Sequence, residues 1–196
     1  MLLGETTKEY TFESCGEKLD MAELQEIWES KLEPVYPYRK AGPAVEKING
    51  SLTAPAAPKI GVAKPKVIIP VFPGTNCEYD TAKAFARAGA DPEILVIRNL
   101  TPADVAESCK ALVKAIDNSQ IVMLPGGFSG GDEPDGSAKF IASFFRNPEV
   151  TEAVRRLLQQ RDGLMLGICN GFQALIKLGL VAYGHIRPIT RSGPTL

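Results

Sequence analysis

The sequence predicts an α/β protein whose main domain is a flavodoxin-like, doubly wound parallel sheet. From Lys66 onwards, short apolar runs of strand length alternate with amphipathic stretches of helix length. This alternation is typical of βαβ units and of a mainly parallel sheet. The first run is rich in β-branched residues, which favours a strand that is covered on both faces. Right-handed crossovers then place helices on the two faces of the sheet. Ligands bind beyond the carboxyl ends of the strands, where the loops 72–76, 125–132 and 169–173 are expected to lie.

The N-terminal part predicts a small appendage that precedes the sheet. Residues 9–13 alternate weakly, as a strand does, and Asp20 is placed to cap an amphipathic helix. The apolar residues that recur at helical spacing are Met21, Leu24, Ile27, Trp28 and Leu32. Because an unpartnered apolar stripe usually marks an interface, two hypotheses stay open. The stripe packs either on the main domain or on further sequence, and residues 1–33 are interpreted as the trailing segment of a preceding domain.

A proline-rich linker is expected at residues 34–65, which carry few large apolar residues. The main domain, 66–196, follows. Strands are predicted at 67–71, 93–97, 120–124 and 163–168, and helices at 77–88, 101–116, 137–145, 148–160 and from the last strand to 178. Gly89 stands at a C-cap position, and Thr101-Pro102 gives a cap with proline at the first helical position. Since the chain stops at Leu196 without closing such a sheet, the domain is expected to be incomplete at its C-terminus.

Composition excludes several classes of protein. The formal net charge of −1 gives no electrostatic indication of nucleic-acid binding. No apolar stretch approaches the roughly 20 residues of a membrane span, and the N-terminus lacks the features of a signal peptide. The four cysteines are far apart and form no C-x-x-C pair. This spacing favours reduced thiols in the cytoplasm over disulfides or a metal site.

The candidate catalytic residue is Cys169, in the motif Gly167-Ile-Cys-Asn-Gly171. An apolar strand runs into this motif and a helical pattern follows at once, which indicates the cysteine form of a nucleophile elbow. Glycines on both sides relieve crowding at the bend, and the first N–H groups of the new helix face the sulfur. The alternative interpretation is a buried structural cysteine that packs as a small hydrophobic residue.

A second loop is expected to complete the site. Gly126, Gly127 and Phe128 follow the third strand, and their backbone N–H groups, together with that of Asn170, are predicted to form an oxyanion hole. A plain glycine-rich turn stays an alternative. A phosphate-binding loop is less favoured, because no Gly-Lys-Ser/Thr follows the glycines.

Two further polar residues are weighed for the site. Gln173 lies one helical turn after Cys169, where it either contacts a polar substrate or is solvated. His185, the one histidine of the sequence, follows closely after the elbow helix. We interpret it as a surface or structural residue and not as the base for the thiol, since a base must come within hydrogen-bond reach.

Three motifs together resemble a known family. These are Pro73-Gly-Thr-Asn-Cys-Glu78, the stretch from Pro125 to Gly136, and the stretch from Gly167 to Leu175. In this order they resemble the class I, or triad-type, glutamine amidotransferase domains. They are most similar to the glutaminase domain of the large, single-chain phosphoribosylformylglycinamidine synthases of purine biosynthesis. The helix after Asp20 and the linker look like the end of the synthetase portion of such enzymes.

The resemblance implies an activity for the chain. Cys169 would attack the side-chain amide of glutamine, the oxyanion would rest on the Gly126–Gly127 loop and Asn170, and Gln173 would contact the substrate. Ammonia would pass to a synthetase domain of the same parent chain, which uses ATP and Mg²⁺ to convert formylglycinamide ribonucleotide to the amidine. No cofactor, metal, nucleic acid or membrane is expected for the domain itself.

One departure from the family has a consequence for activity. The catalytic His and Glu of the family lie far downstream of the cysteine, and His185 is too early in the sequence to be that histidine. The chain is therefore expected to be a very poor glutaminase. Two alternatives remain: a flavodoxin-like cysteine enzyme similar to the superfamily of the Parkinson-associated chaperone and intracellular proteases, or a non-catalytic docking module. Members of that superfamily usually place His directly after the Cys, where this chain has Asn170.

Overall fold

The computed structural model describes residues 4–37, 42, 61–128, 137–188, 190, 191, 193 and 194. It divides into two compact units, Met1–Ala54 and Pro55–Leu196. Most of the linker predicted at 34–65 lies outside the described residues, so the linker and the domain boundaries stay predictions.

The described part of the first unit is a β-hairpin followed by a helix. Strand β1 (Thr11–Ser14) pairs antiparallel with β2 (Glu17–Asp20), and α1 (Met21–Ser30) follows directly. The Asp20 carboxylate accepts hydrogen bonds from Ala22 N and Glu23 N at 2.8 and 3.2 Å, which confirms the predicted N-cap. The predicted strand is therefore present, but its partner β2 was missed, because all four of its residues are exposed and give no apolar pattern.

The second unit contains a four-stranded parallel sheet. Its strands are β3 (Lys66–Val71), β4 (Asp91–Val96), β5 (Ile121–Leu124) and β6 (Leu164–Gly167). The spatial order is β4-β3-β5-β6, with every neighbouring pair parallel. This corresponds to the order 2-1-3-4 with which flavodoxin-like sheets begin. The predicted α/β class is confirmed, and every predicted strand is present within about two residues of its expected bounds.

Helices connect these strands. They are α2 (Glu78–Arg87), α3 (Pro102–Asp117), α4 (Lys139–Phe145), α5 (Pro148–Arg155), α6 (Asn170–Leu178) and the one-turn α7 (Leu180–Tyr183). The predicted start of α3 is confirmed by a reciprocal capping box between Thr101 and Asp104. The long helix expected at 148–160 differs in detail: after α5 the backbone continues as a π-helical turn over Arg156–Gln160. Helix α7 was not predicted.

The alternating residues of β3 face two separate apolar cores. Ile68 packs in the larger core, to which α3, α4, α5 and α6 contribute, and Val67 and Ile69 pack on the opposite face with Ala82 and Phe85 of α2. Helices therefore cover both faces of the sheet, as in a doubly wound fold. Strand β6 lies at the edge of the sheet, and Leu164 and Leu166 are 41% and 45% exposed on one face.

Within the residues that the structure describes, no helix combines the length and the apolar character that crossing a membrane would need.

Candidate active site

Cys169 stands in the sharp turn between β6 and α6. Strand β6 ends at Gly167 and the helix begins at Asn170, so the structure has the strand–turn–helix context that the motif predicts. The backbone of Cys169 has φ 53° and ψ −112°, which is rarely adopted by residues other than glycine. The residue is exposed, so its sulfur is not enclosed by apolar side chains.

The flanking glycines allow this turn to pack against β5. A Cβ atom on Gly171 would lie 2.1 Å from the carbonyl oxygen of Leu124, and one on Gly167 would lie 2.5 Å from the carbonyl oxygen of Gly171. The Gly171 N–H donates to the carbonyl oxygens of Pro125 and Ile168 at 3.1 and 2.9 Å. The turn is thus bonded to the end of β5. Glycine at position 171 permits this close approach, because any side chain there would overlap the neighbouring backbone.

The glycine-rich loop lies directly beside the cysteine. A Cβ atom on Gly126 would be 3.2 Å from Cys169 Cβ and 4.0 Å from Cys169 Sγ. None of the hydrogen bonds among the described residues uses the N–H groups of Gly126 or Gly127. The Gly126 backbone therefore lies beside the sulfur, where an oxyanion would need donors.

The Phe128 N–H, predicted with its neighbours as an oxyanion donor, has another partner in the structure. Its N–H donates to the carbonyl oxygen of Gly74 at 2.9 Å, and its side chain is 81% exposed. The Phe128 N–H is therefore already engaged in a hydrogen bond. Residues 129–136, which continue this predicted loop, lie outside the described part of the chain.

Asn170 and Gln173 lie together on the first turn of α6. Asn170 is buried, and its Nδ2 donates to Gln173 Oε1 at 3.2 Å. The Gln173 N–H donates to the carbonyl oxygen of Cys169 at 3.0 Å, which begins the helix over the cysteine. The two predicted site residues are thus linked to each other and to the elbow.

His185 lies at the opposite end of α6 from Cys169. It follows α7, and its Nδ1 is 2.9 Å from the carbonyl oxygen of Tyr183. A Cβ atom on Gly179, the C-cap of α6, would lie 3.3 Å from the His185 carbonyl oxygen, so the nine residues of α6, at about 1.5 Å each, separate His185 from Cys169. His185 instead lines a cavity of about 360 Å³ with Thr151 and Leu158.

The segment 72–76 also reaches the site, at the carboxyl edge of the sheet where the sequence predicts it. Asn76 N donates to the carbonyl oxygen of Gly126 at 2.9 Å, and Thr75 forms an isolated antiparallel bridge with Gly127. The adjacency of β3 and β5, which a flavodoxin-like strand order implies, brings the two loops into contact. The sequence did not specify the particular bonds between them.

The four cysteines are free, and their environments differ. Cys15, Cys77 and Cys169 are exposed, whereas Cys109 is buried in α3. Burial raises the pKa of the Cys109 thiol, and the negative charge of Glu149 acts in the same direction. Cys109 is consequently the least reactive of these thiols on physical grounds.

Comparison with known proteins connects this geometry to a family. The model of the CobB/CobQ-like glutamine amidotransferase domain matches residues 64–196. A phosphoribosylformylglycinamidine synthase subunit PurQ from Methanococcus maripaludis is 39% identical over 121 residues, which cover 60% of this chain and 39% of the relative. The same subunit from Dehalococcoides mccartyi is 37% identical over 122 residues, or 61% and 42% of the two chains.

A solved structure described as PurLQS from Thermotoga maritima matches with a TM-score of 0.42 and 27% identity, covering 60% of this chain and 45% of that one. The chain thus spans less than half the length of these relatives. The family model, by contrast, extends over more than half of the present chain, from residue 64 to its last residue. The chain belongs to the CobB/CobQ-like glutamine amidotransferase domain family.

Proposed function

We propose that the chain is the glutaminase part of a phosphoribosylformylglycinamidine synthase, releasing ammonia from glutamine through a thioester at Cys169. The observation that carries this proposal is the exposed Cys169 thiol in a strained turn, with the Gly126 backbone against it. Strain of this kind persists where the surrounding structure holds it, and it is concentrated at functional sites. The names of the related proteins support the choice of enzyme.

The reaction begins with attack of the Cys169 thiolate on the side-chain amide carbon of glutamine. A carbon–sulfur bond forms, and the carbonyl oxygen becomes an oxyanion that accepts hydrogen bonds from the N–H groups of Gly126, Gly127 and Asn170. The carbon–nitrogen bond then breaks, and the nitrogen takes up a proton and leaves as ammonia. Water hydrolyses the thioester, which yields glutamate and restores the thiol.

The start of α6 favours the first step. Cys169 is at the N-cap position of this nine-residue helix, where the positive end of the helix dipole faces the negative charge that develops during attack. Gln173, held by Asn170 one turn further, is positioned to contact the polar groups of glutamine. In this proposal Phe128 contributes its exposed ring to the rim of the site rather than a donor to the oxyanion.

Proton transfer is expected to limit the rate of this reaction. The base that the reaction needs must approach the thiol within about 3 Å, and His185 is held at the far end of α6. A general base contributes roughly 10²–10⁴ in rate. We therefore infer that the chain given by this sequence hydrolyses glutamine slowly.

The proposal includes a synthetase partner and a cytoplasmic location. The synthetase would use ATP and Mg²⁺ and would consume the ammonia to form the amidine of formylglycinamide ribonucleotide. The first unit provides a surface suited to such a partner. Trp28 and Leu32 of the α1 region are 79% and 68% exposed, and with Tyr36 they line an apolar cavity of about 650 Å³. Exposed apolar surface of this kind is expected to be covered in the working enzyme.

A chloroketone analogue of glutamine tests the proposed chemistry. We expect it to modify Cys169 faster than Cys15 and Cys77, which are also exposed, because Cys169 lies beside the Gly126 backbone that we propose to hold the oxyanion. Buried Cys109 should stay unmodified. Peptide mapping by mass spectrometry after short incubations measures the rate at each thiol.

The matched control is Cys169→Ala, in which the slow labelling of Cys77 should be unchanged. Equal labelling rates at Cys15, Cys77 and Cys169 would contradict the proposal and would favour a docking module with an untuned thiol.

A further inference from the structure

We propose that Thr75 is a positioning residue for the oxyanion hole, acting through the Gly126–Gly127 peptide without touching the substrate. This inference rests on the proposed glutaminase function. It assigns to the segment 72–76, which follows β3, the task of holding the donor that stabilises the transition state.

Segment 72–76 is held in place by its own hydrogen bonds. Thr75 closes a turn with Phe72 by two reciprocal hydrogen bonds: Thr75 N donates to the Phe72 carbonyl oxygen at 2.9 Å, and Phe72 N donates to Thr75 Oγ1 at 3.0 Å. Phe72 is itself fixed, since it is 2% exposed and its ring contacts Phe144 and Phe140 at centroid distances of 5.4 and 5.8 Å. The turn is therefore anchored in the larger core.

This turn is connected to the glycine-rich loop by two hydrogen bonds. Asn76 N donates to the Gly126 carbonyl oxygen, and Phe128 N donates to the Gly74 carbonyl oxygen, both at 2.9 Å. The fit is close, because a Cβ atom on Gly127 would lie 2.3 Å from Gly74 O. Gly127 also has φ 124°, a conformation that other residues rarely adopt.

The same bonds determine the direction of the Gly127 N–H. In a trans peptide the C=O and N–H groups point in opposite directions. The bond from Asn76 to the Gly126 carbonyl therefore turns the Gly127 N–H away from segment 72–76 and leaves it outside the bridge. Two adjacent glycines would otherwise permit this peptide to rotate. The bonds that hold the Gly126 carbonyl therefore also fix the direction of the Gly127 N–H.

Loss of the Thr75 hydroxyl should therefore weaken transition-state stabilisation more than it weakens binding. Removal of one oxyanion donor costs roughly 10²–10³ in rate, and a donor that is loosened but present should cost less, about tenfold. Thr75→Val removes the acceptor for Phe72 N at nearly constant volume, and Thr75→Ser retains it.

The experiment compares two reagents at Cys169 in the full 196-residue chain. With the glutamine chloroketone, sulfur first bonds to the carbonyl carbon and creates an oxyanion. Sulfur then moves to the neighbouring CH₂ carbon as chloride leaves, the bond between sulfur and the carbonyl carbon breaks, and the ketone re-forms. Iodoacetamide loses iodide by direct displacement, with no charge developing on its carbonyl oxygen. In Thr75→Val we expect the maximal chloroketone rate to fall about tenfold, with its half-saturating concentration and the iodoacetamide rate changing less than about twofold.

Thr75→Ser should restore the wild-type chloroketone rate. Thr75→Ala should behave like Thr75→Val and replaces it if the valine variant does not fold. An unchanged chloroketone rate in Thr75→Val, or an equal fall with both reagents, would overturn the inference while leaving the proposed function in place. Failure of wild-type Cys169 to react preferentially with the chloroketone would overturn the proposed function, and this inference with it.

Discussion

Gly171→Ala is expected to destabilise the second unit by about 3 kcal/mol or more, and so to lower its melting temperature by roughly 6–12 °C. The added Cβ would lie 2.1 Å from the Leu124 carbonyl oxygen and 2.7 Å from its carbonyl carbon. Both atoms belong to the backbone of β5, so neither can rotate away as the end of a flexible side chain would. Thermal unfolding followed by circular dichroism measures the effect.

Gly184→Ala is the matched control for this substitution. Gly184 has φ 72°, but a Cβ atom there meets nothing within 4 Å, so only backbone strain of about 1–2 kcal/mol is introduced. We expect the Gly184 variant to melt well above the Gly171 variant. Equal melting temperatures for the two variants would show that the close packing of the elbow on β5 does not determine stability.

Cys169→Ser is expected to reduce ammonia release from glutamine to the level of a protein-free control. A serine hydroxyl is a weak nucleophile unless a general base activates it, and His185, the single histidine of the sequence, is at the far end of α6. Long incubations with an enzymatic assay for ammonia provide the measurement, since the wild-type rate is itself expected to be low.

Cys77→Ser is the control for the loss of activity. Cys77 is exposed, has φ 66° and stands at the N-cap of α2, so it shares these local features with Cys169, but it lies outside the Gly-x-Cys-x-Gly turn. Its replacement should leave ammonia release unchanged. If the Cys77 variant lost activity and the Cys169 variant retained it, the nucleophile would be Cys77, and the proposal would be wrong.

The parts of the fold that sequence predicts well are those specified by local chemistry. The start of α3 follows from Thr101 and Pro102, which cap the helix and begin it without needing distant contacts. The elbow was predicted for a similar reason, because glycines two residues on either side of Cys169 permit one tight turn. Strand β2 was missed because its exposed residues carry no apolar period, and its pairing depends on the turn at Cys15 and Gly16.

The sequence predicted that the Gly126–Gly127 loop would lie beside Cys169, but it did not predict the bonds that hold this loop in place. The bridge between Thr75 and Gly127 follows once β3 lies beside β5. This adjacency depends on the order of strands, which the alternation of apolar runs alone does not specify. The exposure of Leu164 and Leu166 has the same origin, since it arises from the edge position of β6.

Protection of Cys169 by glutamine tests the central claim most directly. The rate of chloroketone labelling at the Cys169 peptide is measured by mass spectrometry at increasing concentrations of L-glutamine, with D-glutamine as the stereochemical control. We predict that L-glutamine slows labelling at Cys169 to saturation, that D-glutamine does not, and that labelling at Cys15 and Cys77 is unaffected by either. Labelling at Cys169 that is insensitive to L-glutamine, or slowed equally by both enantiomers, would contradict a glutamine site at this elbow.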